Sequence, residues 1–151
     1  MEKVTVQTLA DHNYALFVND GRHGFVADEP EEVGGDGLGP NPYELLLAAL
    51  GACTAMTLVM YARRKEWPLY EVSVHLEHER VFARDCEECT AEEVEAAGPG
   101  GRIEVIRRHV SLRGDLDDAQ VARLLEIADR CPVHRTLQHP PKVLTSIACG
   151  P

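Results

Sequence analysis

Five cysteines stand in the 151 residues: Cys53, Cys131, a Cys86-x-x-Cys89 pair, and Cys149. An odd count cannot close entirely into intrachain disulfides. The chain opens Met1-Glu2-Lys3-Val4-Thr5 and leads into no long apolar stretch, so no secretory signal is expected. The expectation is a cytoplasmic protein whose thiols are mostly reduced at rest. The cysteines are then core residues, metal ligands or redox centres. Cys53, within a long apolar segment, fits a buried core thiol as well as a reactive one. Cys131 precedes Pro132 where one helix ends and another turn can begin. It is either an inert helix-end residue or a thiol whose pKa is lowered by a helix N-terminus. A disulfide needs the two Cα atoms within about 4.4–6.8 Å. Cys53 and Cys131 each lie on one of the two substantial helices expected below. Packed on one side of a sheet, these helices bring the thiols together as a two-cysteine redox pair. One thiolate attacks an electrophile and the other resolves the sulfenic acid.

Cys53 sits too far inside its helix to gain from the dipole, and an ordinary thiol, with a pKa of about 8.5, is mostly protonated at neutral pH. It needs a cation, and Arg22, His134 and Arg135 are the candidates. Arg22 stands in the turn Asp20-Gly21-Arg22-His23-Gly24, where the alternative is a solvated turn residue. Cys86 and Cys89 are weak metal candidates, because one C-x-x-C without a second pair is a poor zinc signal. His75 and His78 lie near in sequence, but their spacing of three puts them on opposite faces of a strand. The acids around the pair raise its thiol pKa values, so it reads as an ambiguous exposed pair. Cys149 reads as a bystander.

The rest of the chain must position these residues. Lys and Arg number 15 against 25 Asp and Glu, a formal charge of −10. Such a surface repels a nucleic-acid polyanion, and an aromatic content of 5% offers no base-stacking platform. At 44% hydrophobic residues there is ample material for a core, and the length fits a single domain over residues 1–151. Short strands are expected over Val4–Ala10, Tyr14–Asn19 and Phe25–Val26, with a hairpin turn at Asn19-Asp20-Gly21. An acidic, glycine-bearing loop runs from Asp28 to Gly39. Asn41-Pro42-Tyr43-Glu44 is a strong helix start, with Asn41 as cap and Glu44 completing a capping box. The helix runs to about Lys65 and Trp67-Pro68 ends it. Its stretch Leu45–Ala62 carries no formal charge and meets the lower length for a membrane span. Gly51, Cys53, Thr54 and Thr57 interrupt it, however, and it is read as a buried central helix with no membrane role. Tyr70, Val72, Val74 and Leu76 form one face of a strand. Arg84–Gly101 is a charged excursion and Arg102–Arg113 the returning strand. Asp117 with Gln120 opens a second helix bearing the stripe Val121, Leu124, Leu125 and Ala128. Val133–Leu137 can form one more turn and Val143–Ala148 a final strand. The order βββ-α-ββ-α-β is that of an α+β protein. A chain this short cannot enclose so long an apolar helix by itself, which points to a dimer.

Gly39-Pro40-Asn41-Pro42-Tyr43-Glu44-Leu45-Leu46, then Gly51-Ala52-Cys53, then Cys131-Pro132-Val133-His134 together resemble the OsmC/Ohr family of osmotically inducible and organic hydroperoxide resistance proteins. The Gly21-Arg22-His23-Gly24 turn and Gly34-Gly35 match the same pattern, so the resemblance spans nearly the whole chain in order. It implies an intertwined homodimer with the central helices buried between subunits. It also implies a cysteine-based thiol peroxidase that reduces organic hydroperoxides. Cys53 corresponds to the peroxidatic cysteine, Cys131 to the resolving one, and Arg22 to the residue that lowers the Cys53 pKa and orients the peroxide. Leu50, Met56 and Met60 could line the substrate site or simply pack. In one respect the sequence departs from the pattern. The family's glutamate directly follows Asn-Pro, whereas Tyr43 stands there and Glu44 comes one place later, half a helical turn from the direction of Cys53. Glu29 or an acid of the other subunit could orient the arginine instead.

Such a peroxidase requires no cofactor, because the thiolate is the nucleophile, and a lipoylated or thioredoxin-like dithiol protein would close its cycle. The alternative expectation is a non-catalytic dimer of the same fold that holds a small apolar ligand or a metal. The displaced glutamate and the extra C-x-x-C motivate it.

Overall fold

The computed structural model describes residues 1–148 and shows a mixed α+β chain. Cys149 lies outside the described residues. The chain forms two compact units, one built from Met1–Ala49 and Glu77–Arg107, the other from Leu50–Leu76 and the residues from Arg108 onward.

The first unit opens with an antiparallel sheet of β1 (Thr5–Thr8), β2 (Leu16–Asn19) and β3 (Gly24–Ala27) in that order. Thr8 pairs with Leu16 and Leu16 with Ala27. The Asn19-Asp20-Gly21 signal makes the expected β2–β3 turn. Gly21 takes φ 92°, and Asp20 Oδ1 accepts the backbone N–H groups of Arg22 and His23 at 2.8 and 2.7 Å. The loop after β3 is organised by Asp28, which is 2% exposed. Its carboxylate accepts the N–H groups of Glu29, Asp36 and Leu38 at 2.8, 3.1 and 3.2 Å. Gly39 lies so close to the Val26 carbonyl that no side chain fits there.

Helix α1 (Pro42–Arg64) begins where Asn41 predicts. Glu44 N–H donates to Asn41 Oδ1 at 3.0 Å and Asn41 N–H to Glu44 Oε2 at 2.8 Å, a complete capping box. The helix is long and apolar enough to cross a membrane by length and composition. Within the single chain it is buried on one face only. Leu50, Gly51, Thr54, Leu58 and Ala62 are buried on one face, whereas Met56 and Met60 on another are 64 and 71% exposed. One chain of this size supplies packing for a single side only.

Strands β4 (Leu69–Phe82) and β5 (Arg102–Gly114) form a second, two-stranded sheet. Val72, Val74 and Leu76 are half-buried in alternation with exposed Ser73, His75 and Glu77. Tyr70, expected on that apolar face, is instead exposed, and its hydroxyl donates to Asp115 at 2.5 Å. The charged excursion between the strands holds a further helix, α2 (Ala91–Ala97), capped by Thr90 and Glu93. Helix α3 (Asp118–Ala128) opens with the expected Asp117–Gln120 capping box. It buries Leu124, Ile127 and Ala128, while Leu125 of the expected stripe is 66% exposed. Leu58, Leu124, Ile127 and Ala128 form the core of the second unit, packed by Tyr61, Trp67, Val72 and Val110. Each fully buried leucine contributes about 1.5–3 kcal/mol of burial free energy. A last helix, α4 (Pro132–Gln138), follows.

The expected final strand is not formed. Residues 140–148 have no regular structure, and Val143, Leu144 and Ile147 are 82, 80 and 89% exposed. A strand needs a neighbour for its backbone hydrogen bonds, and no described strand pairs with this segment.

Candidate functional site

Cys53 and Cys131 meet in the second unit. Cys53 lies on the middle turns of α1, half-buried, and Cys131 is completely buried at the junction of α3 and α4. Both are free thiols. Their sulfurs lie close enough for each to shift the other's titration. This is the pairing the sequence anticipated, and Pro132 explains how it is built. Proline ends the α3 segment and starts α4, leaving Cys131 as the residue just before the new helix.

The two thiols differ in what surrounds them. Burial pushes the Cys53 thiol above its ordinary value. The hydrogen bond with Cys131 pushes it in the same direction, and the Val133 N–H and Thr57 hydroxyl only partly offset this. Burial also acts to raise Cys131, but there it is outweighed. The Cys53 thiol, the N–H groups of His134 and Val133 and the Thr54 hydroxyl all favour a sulfur anion, and the net effect lowers its pKa. The Cys53 thiol is thus held above its ordinary value and the Cys131 thiol below it.

Two further groups attach to the pair. Thr54, fully buried, donates its hydroxyl to the Leu50 carbonyl at 2.8 Å. Arg108 of β5 donates to Thr54 Oγ1 at 3.0 Å, to the Ala128 carbonyl at 3.3 Å and to Asp129 Oδ1 at 2.7 Å. Neither residue was among the candidates drawn from sequence. In the sequence Thr54 is only a polar interruption of an apolar run, and a single arginine within a strand gives no local signal.

The remaining expectations are placed as follows. Arg22 is exposed in the β2–β3 turn of the first unit, and among the described residues no ion pair engages its guanidinium. Glu44 spends its carboxylate on the Asn41 N–H, and no bond joins it to Arg22 among the described residues. Tyr43, which stands where the resemblance expects glutamate, stacks on His78 with ring centroids 4.4 Å apart. His134 and Arg135 line an open cleft of about 520 Å³ along α4, together with Asp129, Pro132 and His139. Leu50, Met56 and Met60 do not share a face: the first is core, the other two are exposed. Cys86 and Cys89, the weak metal candidates, are joined in a disulfide instead, which leaves neither sulfur free as a ligand. Among the described residues no cluster of three or more His, Cys, Asp or Glu could hold a metal ion.

The fold has close counterparts among solved structures. An OsmC-like protein from Mycoplasma pneumoniae matches with a TM-score of 0.68 at 18% identity, covering 93% of this chain and 89% of the other. An organic hydroperoxide resistance protein from Legionella pneumophila matches with a TM-score of 0.62 at 21% identity, covering 91 and 89%. Another from Elizabethkingia anophelis matches with a TM-score of 0.61 at 18% identity, covering 93 and 89%. No curated protein sequence matches the chain. The family model for OsmC-like protein matches residues 34–146. That stretch takes in α1 with Cys53, the whole two-stranded sheet, and Cys131 at the start of α4, and on this ground the chain belongs to the OsmC-like protein family.

Proposed function

We propose that the protein is a cysteine-based peroxidase that reduces organic hydroperoxides and works as a cytoplasmic homodimer. The observation that carries the reading is the neighbouring pair of free thiols, Cys53 and Cys131. Cys53, the more accessible of the two, attacks the hydroperoxide. Its sulfur bonds to the terminal oxygen, the O–O bond breaks, and the alcohol leaves with the proton that Cys53 gives up. The Cys131 sulfur then attacks the Cys53 sulfenic acid, forming a disulfide, and the sulfenic hydroxyl leaves as water with the proton that the Cys131 thiol gives up. In sum, a dithiol and a hydroperoxide become a disulfide, an alcohol and water. A lipoylated or thioredoxin-like dithiol protein restores the two thiols.

Arg22 is the proposed cation for Cys53 and the orienting group for the peroxide. The similar proteins from Legionella pneumophila and Elizabethkingia anophelis are organic hydroperoxide resistance proteins, which agrees with this chemistry. The dimer is supported by large apolar side chains left uncovered in the second unit: Met56 and Met60 on α1, and Val143, Leu144 and Ile147 near the end of the described chain, are all more than 60% exposed.

Mixing the reduced protein with cumene hydroperoxide tests the activity. Peroxide is expected to disappear at a rate that Cys53→Ser abolishes. Peroxide consumption that is absent, or equal in Cys53→Ser, contradicts the reading.

A further inference from the structure

We infer that Arg108, acting through the Thr54 hydroxyl, is a positioning residue that keeps Cys131 ready as the anionic partner of the thiol pair. The Arg108 side chain is 13% exposed and makes three hydrogen bonds at one place. Two of them, to the Ala128 carbonyl and Asp129, hold it at the end of α3, just before Cys131. The third is to Thr54 Oγ1. A hydroxyl has one proton and two lone pairs. With Arg108 donating to the oxygen, the Thr54 proton is left to find an acceptor. In this structure it goes to the Leu50 carbonyl. A Cys131 thiolate, also within hydrogen-bonding reach of Thr54, competes for that proton, and a charge-assisted bond to a sulfur anion outweighs one to a carbonyl already used within the helix. The guanidinium makes the hydroxyl a stronger donor, as linked hydrogen bonds polarise one another. Arg108 therefore acts on Cys131 without touching it.

Among the described residues, the charged or titratable groups at or beside Cys131 include Cys53 from α1, Arg108 from β5, Asp129 after α3, His134, which meets the sulfur through its backbone N–H, and Arg135, whose backbone N–H donates to the Cys131 carbonyl at 3.1 Å. Asp129 is exposed and partly offsets the Arg108 charge. Arg130, adjacent in the chain, is exposed.

The role of this relay in turnover rests on the peroxidase reading, but its effect on Cys131 does not. The test is the pH titration of thiolate absorbance at 240 nm in a Cys53→Ser, Cys149→Ser background, which reads Cys131 without any reagent having to reach its buried sulfur. Thr54→Val, which keeps the bulk and loses the hydroxyl, is expected to move the profile to higher pH and to lower the thiolate fraction at neutral pH roughly tenfold. Thr54→Ser should restore it. Arg108→Met should shift the profile in the same direction, Arg108→Lys should restore most of the thiolate, and Arg108→Met should add little in a Thr54→Val chain, because the two act in series. A Thr54→Val profile that superimposes on that of the parent chain overturns the inference, as does a full additional shift from Arg108→Met on top of Thr54→Val. Should Arg108→Met not fold, the Thr54→Val and Thr54→Ser pair decides. Loss of hydroperoxide consumption with an intact Cys131 shift would count against the peroxidase reading alone.

Discussion

Asp28 shows how much one side chain can organise. Burial raises the pKa of its carboxyl, yet the N–H groups of Leu38, Glu29 and Asp36 outweigh that effect and hold it below the usual carboxylate value. A carboxyl depressed in the folded state contributes stability above its unfolded pKa and loses it as pH falls through the folded value. Asp28→Ala is therefore expected to destabilise the protein at neutral pH, with the difference from the parent chain shrinking as the solution is acidified. The amides of Glu29, Asp36 and Leu38 should exchange faster with deuterium. A thermal melt across pH, paired with hydrogen exchange of residues 28–39, checks both; protection unchanged at those three amides contradicts the assignment. This role was hidden in the sequence, where Asp28 was only the first acid of an acidic loop. Cys53 and Cys131 were legible because residue type, an adjacent proline and helix placement all pointed the same way. Thr54 and Arg108 were not, because their meaning comes from a contact between residues 54 positions apart.

Elements announced by caps and periodicity were readable. Asn41 with Glu44 and Asp117 with Gln120 mark the starts of α1 and α3, and both capping boxes form. The same signature is present at Thr90 and Glu93, inside the charged excursion, and it caps α2. The charge and glycine content of that excursion masked a signal that was there. Losing a Ser or Thr cap costs about 1 kcal/mol, which is a large share of what a seven-residue helix can supply alone. Thr90→Ala is expected to fray α2, read as faster amide exchange over Ala91–Ala97 with the remaining helices unaffected. The Val143–Ala148 strand failed for the opposite reason. Its pattern was correct for a strand, but pairing is a property of a neighbour, and no strand among the described residues supplies one.

At the scale of the whole molecule, an apolar helix and an unpaired apolar tail in the second unit leave large side chains in water. Uniform hydrophobicity in α1 was legible in the sequence; which face would be left uncovered was not, since that depends on where α3 and the sheet pack. Charging the exposed face tests whether a second copy covers it. Met56→Glu with Met60→Glu is expected to convert a species of twice the chain mass into monomer in sedimentation velocity, whereas a parent chain that already sediments as monomer contradicts the dimer. The central claim is the union of the two thiols in one reaction. Its most direct measurement is disulfide mapping after one equivalent of organic hydroperoxide is added to fully reduced protein. The expected result is a new Cys53–Cys131 disulfide, absent in Cys131→Ser, which should instead retain oxidised Cys53. Oxidation that leaves both thiols free, or that joins either of them to a different cysteine, would contradict it.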